Sequence, residues 1–137
     1  MIYVIDHKDS FTHNVVHQFS LFDKVECDDF SKINKKKLNN ASTIVFSPGP
    51  GSPKDYPLSS KIYKQLKGKK FKVGRYHSLK LKEPFKIKDF EITMRCLESK
   101  VAMTFENNKD KIYGFQFHPE SFLTINGNLL IKKILSA

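Results

Sequence analysis

The sequence predicts an α/β fold built on a parallel sheet. Strand-like and helix-like segments alternate over the first half of the chain in the order β-α-β-α-β-α. The strand-like runs, such as MIYVID and TIVF, are continuously apolar, as parallel strands covered on both faces are. Polar loops follow these runs, HKDSFTHN after the first and the Pro/Gly-rich SPGPGSP after the second, which places ligand-binding chemistry beyond the carboxyl ends of the strands.

Residues 1–6 read as a buried strand ending in Asp6. The next stretch, HKDSFTHNVVHQF, opens a helix. Asp9 or Ser10 is expected to cap it, because a short side-chain oxygen satisfies unpaired backbone N–H groups. Phe11, Val15, Val16, Phe19 and Phe22 then recur at helical spacing. Residues 24–30 alternate, with Val25 and Cys27 on one face, and predict a second strand. A Lys-rich helical turn is expected near 33–39. TIVFSPGPGSP reads as a third strand running into a turn at 47–53. Residues 57–67 form a helix with Ile62 and Leu66 inward, stopped by Gly68. The second half differs. Short strands are expected at 71–76, 90–97, 101–106 and 111–117, with ENNKDK as a hairpin turn between the last two. A helix over 126–136, carrying Leu129, Leu130 and Ile134, closes the chain, with Asn126 as a candidate cap.

Length and composition bound the function. The chain has 137 residues, of which 39% are apolar and twelve are Phe, enough for one domain with a real core. No run reaches the roughly 18 apolar residues of a membrane helix. The start is too short and too acidic for a signal peptide, so a cytoplasmic protein is expected. Cys27 and Cys96 have no metal-ligand spacing and read as reduced thiols, and no cofactor or metal is expected. The net charge of +10 raises the question of nucleic acid. The basic residues are scattered, and all but Arg75 and Arg95 are Lys. Solvated lysine faces account for such a pattern better than a nucleic-acid site does.

Three segments carry chemistry. In SPGPG, Ser47–Gly51, prolines fix a turn and glycines let the backbone approach a ligand with its N–H groups presented to developing negative charge. Alone, this is also what an ordinary Pro/Gly loop looks like. GRYHSL, residues 74–79, ends a strand with polar groups. GFQFHPES places His118 and Glu120 just past another strand. A carboxylate on one imidazole nitrogen leaves the other as a base.

Together, DHKDSFTHN, SPGPGSP, GRYHSL and GFQFHPES resemble the class I glutamine amidotransferases, in the order that family shows and over residues 1–136. The DSFTxN and GRYHSL forms are most similar to the branch that serves chorismate-using synthases. That branch includes anthranilate synthase component II and the aminodeoxychorismate synthase amidotransferase subunit. The resemblance implies a three-layer, flavodoxin-like domain with a mostly parallel central sheet and flanking helices. It implies hydrolysis of glutamine, with His118 as base and Glu120 as its orienting carboxylate. It also implies that Gly49, Pro50 and Gly51 line the glutamine and oxyanion site, and that Ser78 and Leu79 contact glutamine. The implied partner is component I of anthranilate synthase or of aminodeoxychorismate synthase, which receives the ammonia. Asp9–Asn14 falls in the partner-facing region.

One part of the pattern is missing. The family's nucleophile lies in a Gly-x-Cys-x-Gly-x-Gln elbow after the helix that follows SPGPG. Here that helix runs through LKGKK straight into FKVGRYHSL. A piece of roughly fifty residues, more than one βαβ unit, is absent between Lys70 and Phe71. The chain therefore reads as a single domain over 1–137, internally deleted at that point. Neither remaining cysteine looks like a replacement. Glu26, Asp28 and Asp29 flank Cys27 and are expected to raise its pKa. Cys96 has Arg95 beside it but falls inside a predicted strand. Three readings follow: the family's amidotransferase subunit with its glutaminase activity lost or supplied otherwise, a non-catalytic partner or scaffold of the synthase, and a basic nucleic-acid-binding domain.

Overall fold

The computed structural model describes residues 1–66, 83 and 88–136. Strand β1 (Ile2–Asp6) is its axis. It lies between β2 (Val25–Asp29) and β3 (Thr43–Phe46) and pairs in parallel with both, in register Ile2↔Val25 and Ile2↔Thr43. A strand with neighbours on both sides and helices on both faces must be apolar throughout. The side chains of β1 alternate between two cores accordingly. Tyr3 and Ile5 pack with Ala41, Ile44, Phe46 and Ile62 on one face. Ile2 and Val4 pack with Val15, Phe19, Val45 and Ile131 on the other. The first face is covered by α2 (Lys35–Asn40) and α3 (Pro57–Leu66), the second by α1 (Thr12–Ser20) and α4 (Gly127–Ser136). The expected three-layer α/β arrangement is therefore present.

Local chemistry sets the element boundaries. Asn34 caps α2, its side chain accepting from Lys36 N and Lys37 N. The Tyr3 hydroxyl donates to Asp28 at 2.8 Å and accepts from Asn34 N at 2.9 Å, which ties β1, β2 and the start of α2 together. The start of α1 differs from expectation. Its N-cap is Phe11, with no side-chain cap. Asp9 instead accepts from Phe11 N at 2.8 Å one step earlier. Asp6 Oδ1 takes Lys8 N and the Thr12 hydroxyl, both at 2.8 Å, and folds the loop back onto β1.

The second half forms an antiparallel sheet of β4 (Glu91–Arg95), β5 (Ala102–Asn107) and β6 (Ile112–Phe115), in that order. The hairpin at ENNKDK is present. Asn107 and Asp110 close it through Nδ2–Oδ2 (2.9 Å) and N–Oδ1 (3.0 Å) bonds, and Lys111 adopts a positive φ of 54°. The expected strand at 71–76 and the stop at Gly68 lie outside the described residues. Among the described residues, β3 pairs only with β1 and β6 only with β5. Helix α4 joins the two sheets: Ile131 enters the β1 core, while Ile134 and Leu130 pack on Tyr113, Phe115 and Phe117.

Candidate functional site

The loops after β1, β3 and β6 build the candidate site. Ser47 sets the first contact between them. Its hydroxyl accepts from His7 N at 2.8 Å and donates to Pro48 O at 2.7 Å. His7 lies beneath the SPGPG loop, buried, with its Nε2 2.8 Å from Ser59 Oγ of α3. Its ring stacks on Phe30 (5.8 Å) and meets Tyr56 edge-on (4.7 Å). A Cβ at position 49 would sit 2.5 Å from His7 Cβ, so only glycine lets the loop lie this close. Gly51 has φ +83°, the left-handed region that glycine occupies without strain. Tyr56 donates to Pro50 O, and Asp55 accepts from Ser52 N at 2.7 Å. Pro48 and Pro50 carry no N–H, and that of Ser52 is held by Asp55. The backbone N–H groups of this loop not accounted for by these contacts are those of Gly49 and Gly51.

His118 Nδ1 lies 2.6 Å from Glu120 Oε1. The Glu120 side chain is 1% exposed and that of His118 43%. A buried carboxylate thus accepts from Nδ1–H of a half-exposed imidazole, and Nε2 becomes the basic nitrogen. Glu120 Oε2 is buried with no hydrogen-bond partner among the described residues. The backbone of the pair is clamped from α1: Gln18 Nε2 donates to Pro119 O at 2.8 Å and to Asn128 Oδ1 at 2.9 Å. The Phe11 ring lies 5.5 Å from that of His118, so the loops after β1 and β6 meet here. His118 and the SPGPG loop accordingly both border the loop that follows β1. Ser78 and Leu79 lie outside the described residues. His7 falls within the DHKDSFTHN motif, whereas Gln18 and Ser59 carried no sequence signal for a role here, because their partners are distant along the chain.

The two cysteines differ from expectation in cause and in place. Cys27 is mid-strand in β2. Loss of water around its sulfur raises its pKa, with Asp6 and then Asp28 adding to the effect, to about 11. Of the three flanking acids named above, only Asp28 contributes. Cys96 is not inside a strand. It follows β4 at the start of a turn, with its N–H on Val101 O at 2.9 Å. Its thiol pKa is lowered by hydrogen bonds from the Ser99 side chain, then from Ser99 and Glu98 backbone N–H groups. Arg95 is not the main cause, and its guanidinium pairs with Glu83 at 2.6 Å. Strand β5 separates β4 from β6, so Cys96 stands two strand spacings, about 10 Å, from the line of β6. That exceeds hydrogen-bond reach of a base following β6.

These pKa directions fix an order of reactivity. At pH 8 about one Cys27 in a thousand is thiolate, as follows from a pKa near 11. Iodoacetamide should therefore label Cys96 at least about tenfold faster than Cys27. The Cys96 advantage should shrink as pH rises toward 11. Peptide mapping of a time course reads this directly, and faster labelling of Cys27 would contradict the assignment.

The α/β domain thus places an imidazole–carboxylate pair and a Gly/Pro loop around one strand-end loop. The chain belongs to the glutamine amidotransferase class-I family, whose pattern matches it in two stretches, residues 3–71 and 64–137. It is 29% identical to anthranilate synthase component 2 of Lactococcus lactis, over 188 positions covering 99% of this chain and 94% of that one. It is 29% identical to anthranilate synthase component 2 of Archaeoglobus fulgidus, covering 98% and 97%. Its fold resembles that of a Thermoplasma acidophilum protein provisionally described as part of a GMP synthase. That likeness has a TM-score of 0.75 at 14% identity, over 98% of this chain and 92% of the other.

Proposed function

We propose that the chain is the amidotransferase-type subunit of an anthranilate synthase, shortened between Lys70 and Phe71, and that it binds the synthase subunit without hydrolysing glutamine. The observation that carries this reading is a base with its carboxylate but without a nucleophile. His118 and Glu120 are assembled, while Cys27 is mid-strand and Cys96 lies beyond the far side of β5. The deletion is supported by the two family matches, which meet and overlap at residues 64–71. It is supported again by the Lactococcus alignment, which needs 188 positions to hold 99% of this 137-residue chain.

In this reading His118 and Glu120 are the vestige of the general base. Gly49, Pro50 and Gly51 are the vestige of the oxyanion loop, and Ser78 and Leu79 of the glutamine contacts. No cofactor enters the scheme, and the synthase uses ammonia from solution. The two relatives named above are both anthranilate synthase components, which favours anthranilate over aminodeoxychorismate formation.

Calorimetric titration of the folded chain into anthranilate synthase component I tests the reading. Binding is expected, but weaker than for a full-length subunit, because part of an interface of about 1,600 Å² is missing with the deleted segment. No heat at micromolar concentration would overturn it.

A further inference from the structure

Helix α1 carries two histidines one turn apart, His13 and His17, in the run HNVVH. The helix buries Thr12, Val15, Gln18 and Phe19, and turns its opposite side, with both histidines exposed, to water. On a helix, residues i and i+4 lie about 5–6 Å apart at Cβ and project from one face. His118 is committed to Glu120 and His7 to Ser59. Among the described residues, by contrast, neither the His13 nor the His17 ring takes part in a hydrogen bond, an ion pair or a ring contact. Two imidazoles are thus held side by side with their nitrogens uncommitted. The cysteines have no metal-ligand spacing, but these histidines do.

The surroundings suit a cation. Although the net charge is +10, no Lys or Arg falls between Lys8 and Lys24, and Asp9 and Asp23 bracket that stretch. A cation on α1 therefore meets no like charge along the helix. No third His, Cys, Asp or Glu among the described residues completes a metal cluster, so an ion held here keeps open positions for water. Imidazole nitrogen suits zinc, copper and nickel, whereas magnesium and calcium seek oxygen. Asn14 follows His13 where the zinc-hydrolase motif HExxH places its glutamate base, so the pair can hold an ion but gains no base for hydrolysis. The helix itself profits from such a tie. It has nine residues, no side-chain cap at Phe11, and weak helix formers in Thr12, Asn14, Val15 and Val16. An ion that bridges successive turns binds only the folded arrangement and stabilises it. The inner side of the same helix holds Pro119 O through Gln18.

We infer that His13 and His17 form a two-nitrogen chelating site on the outer face of α1 for a divalent ion of the zinc, copper and nickel class, and that the bound ion stiffens α1. The site uses neither His118, Glu120 nor the SPGPG loop, and it stands independently of the proposed function.

The test uses the full chain and its His13→Gln and His17→Gln variants, with Zn²⁺ as probe and Mg²⁺ as control. Both side chains are exposed, so without metal the circular dichroism and melting of the variants should match those of the wild type. Competition against a chromophoric zinc chelator should show Zn²⁺ binding by the wild type that each substitution weakens at least about tenfold, since one nitrogen alone is no chelate. Saturating Zn²⁺ should raise the wild-type Tm by on the order of 5 °C and leave that of either variant unchanged. Mg²⁺ should have no effect. In nuclear magnetic resonance the His13 and His17 ring signals should move together on adding Zn²⁺, while that of buried His7 stays. Equal Zn²⁺ affinity in all three proteins overturns the site and places the ion on the cysteines or on His118. Weakening by only one of the two substitutions overturns the chelate. No Zn²⁺ binding by the wild type overturns the inference outright.

Discussion

The purified chain, incubated with glutamine, should release ammonia no faster than buffer. The reason lies in how covalent amide hydrolysis divides its work. A base lowers the cost of ionising a nucleophile, and an oxyanion loop stabilises the charge that appears after attack. Both aids act on a bond the nucleophile must form, and in the proposed reading neither cysteine is placed to form it. In enzymes with such cooperating groups, losing the nucleophile costs on the order of 10⁶ in rate. What a loop and a base retain alone is small beside ordinary turnover. The two cysteines give the control. Cys27 is held as a thiol by lost hydration and by Asp6 and Asp28. Cys96 ionises more readily but stands beyond β5. Cys27→Ser and Cys96→Ser should therefore leave the background unchanged. Ammonia release that disappears on alkylating Cys96 would show that the turn after β4 reaches His118.

Much of this arrangement was legible in the chain. The continuous apolar runs at 1–6 and 43–46 specified strands covered on both faces, and β1 and β3 are such strands. The HPE spacing specified a histidine and a glutamate within reach of each other, because a proline between them leaves few geometries. Three features were not legible. The cap of α1 moved to Phe11 because Asp6 and Asp9 were already satisfying the loop's own donors, a competition among local bonds that residue type does not rank. Cys96 left its predicted strand because Lys100 takes a positive φ of 58° and the chain turns between Cys96 and Val101. Gln18 is 101 residues from Pro119 in sequence, and no periodicity links a polar residue on one helix to a carbonyl that far away. The proposed loss of the elbow rests on an absence between flanking motifs, which a pattern read in order detects and composition does not.

That clamp is where a single added methyl group should do the most damage. A Cβ at position 127 would fall 1.8 Å from Pro119 O and 3.2 Å from Gln18 Nε2. The first contact is with backbone, so no side chain can rotate away to relieve it. Either α4 shifts outward, or the His118–Glu120 segment moves. An outward shift of α4 withdraws Ile131 from the core shared with Ile2, Val4 and Val45. Movement of the segment breaks the Gln18 bond and exposes the buried Glu120 carboxylate. Overpacking of this kind costs about 3 kcal/mol, a large share of a domain's total stability of about 5–15 kcal/mol. Gly127→Ala should accordingly lower Tm by on the order of 10 °C. Asn128→Ala removes one hydrogen bond from the same Gln18 and adds no bulk, so it should cost only about 1 kcal/mol. The comparison separates crowding from bond loss. Nuclear magnetic resonance of the His118 ring adds the local readout, since Nδ1–H should lose its downfield, carboxylate-bonded signal in Gly127→Ala and keep it in Asn128→Ala. Equal Tm and an unchanged His118 signal in Gly127→Ala would mean that α4 does not pack on Pro119 as described.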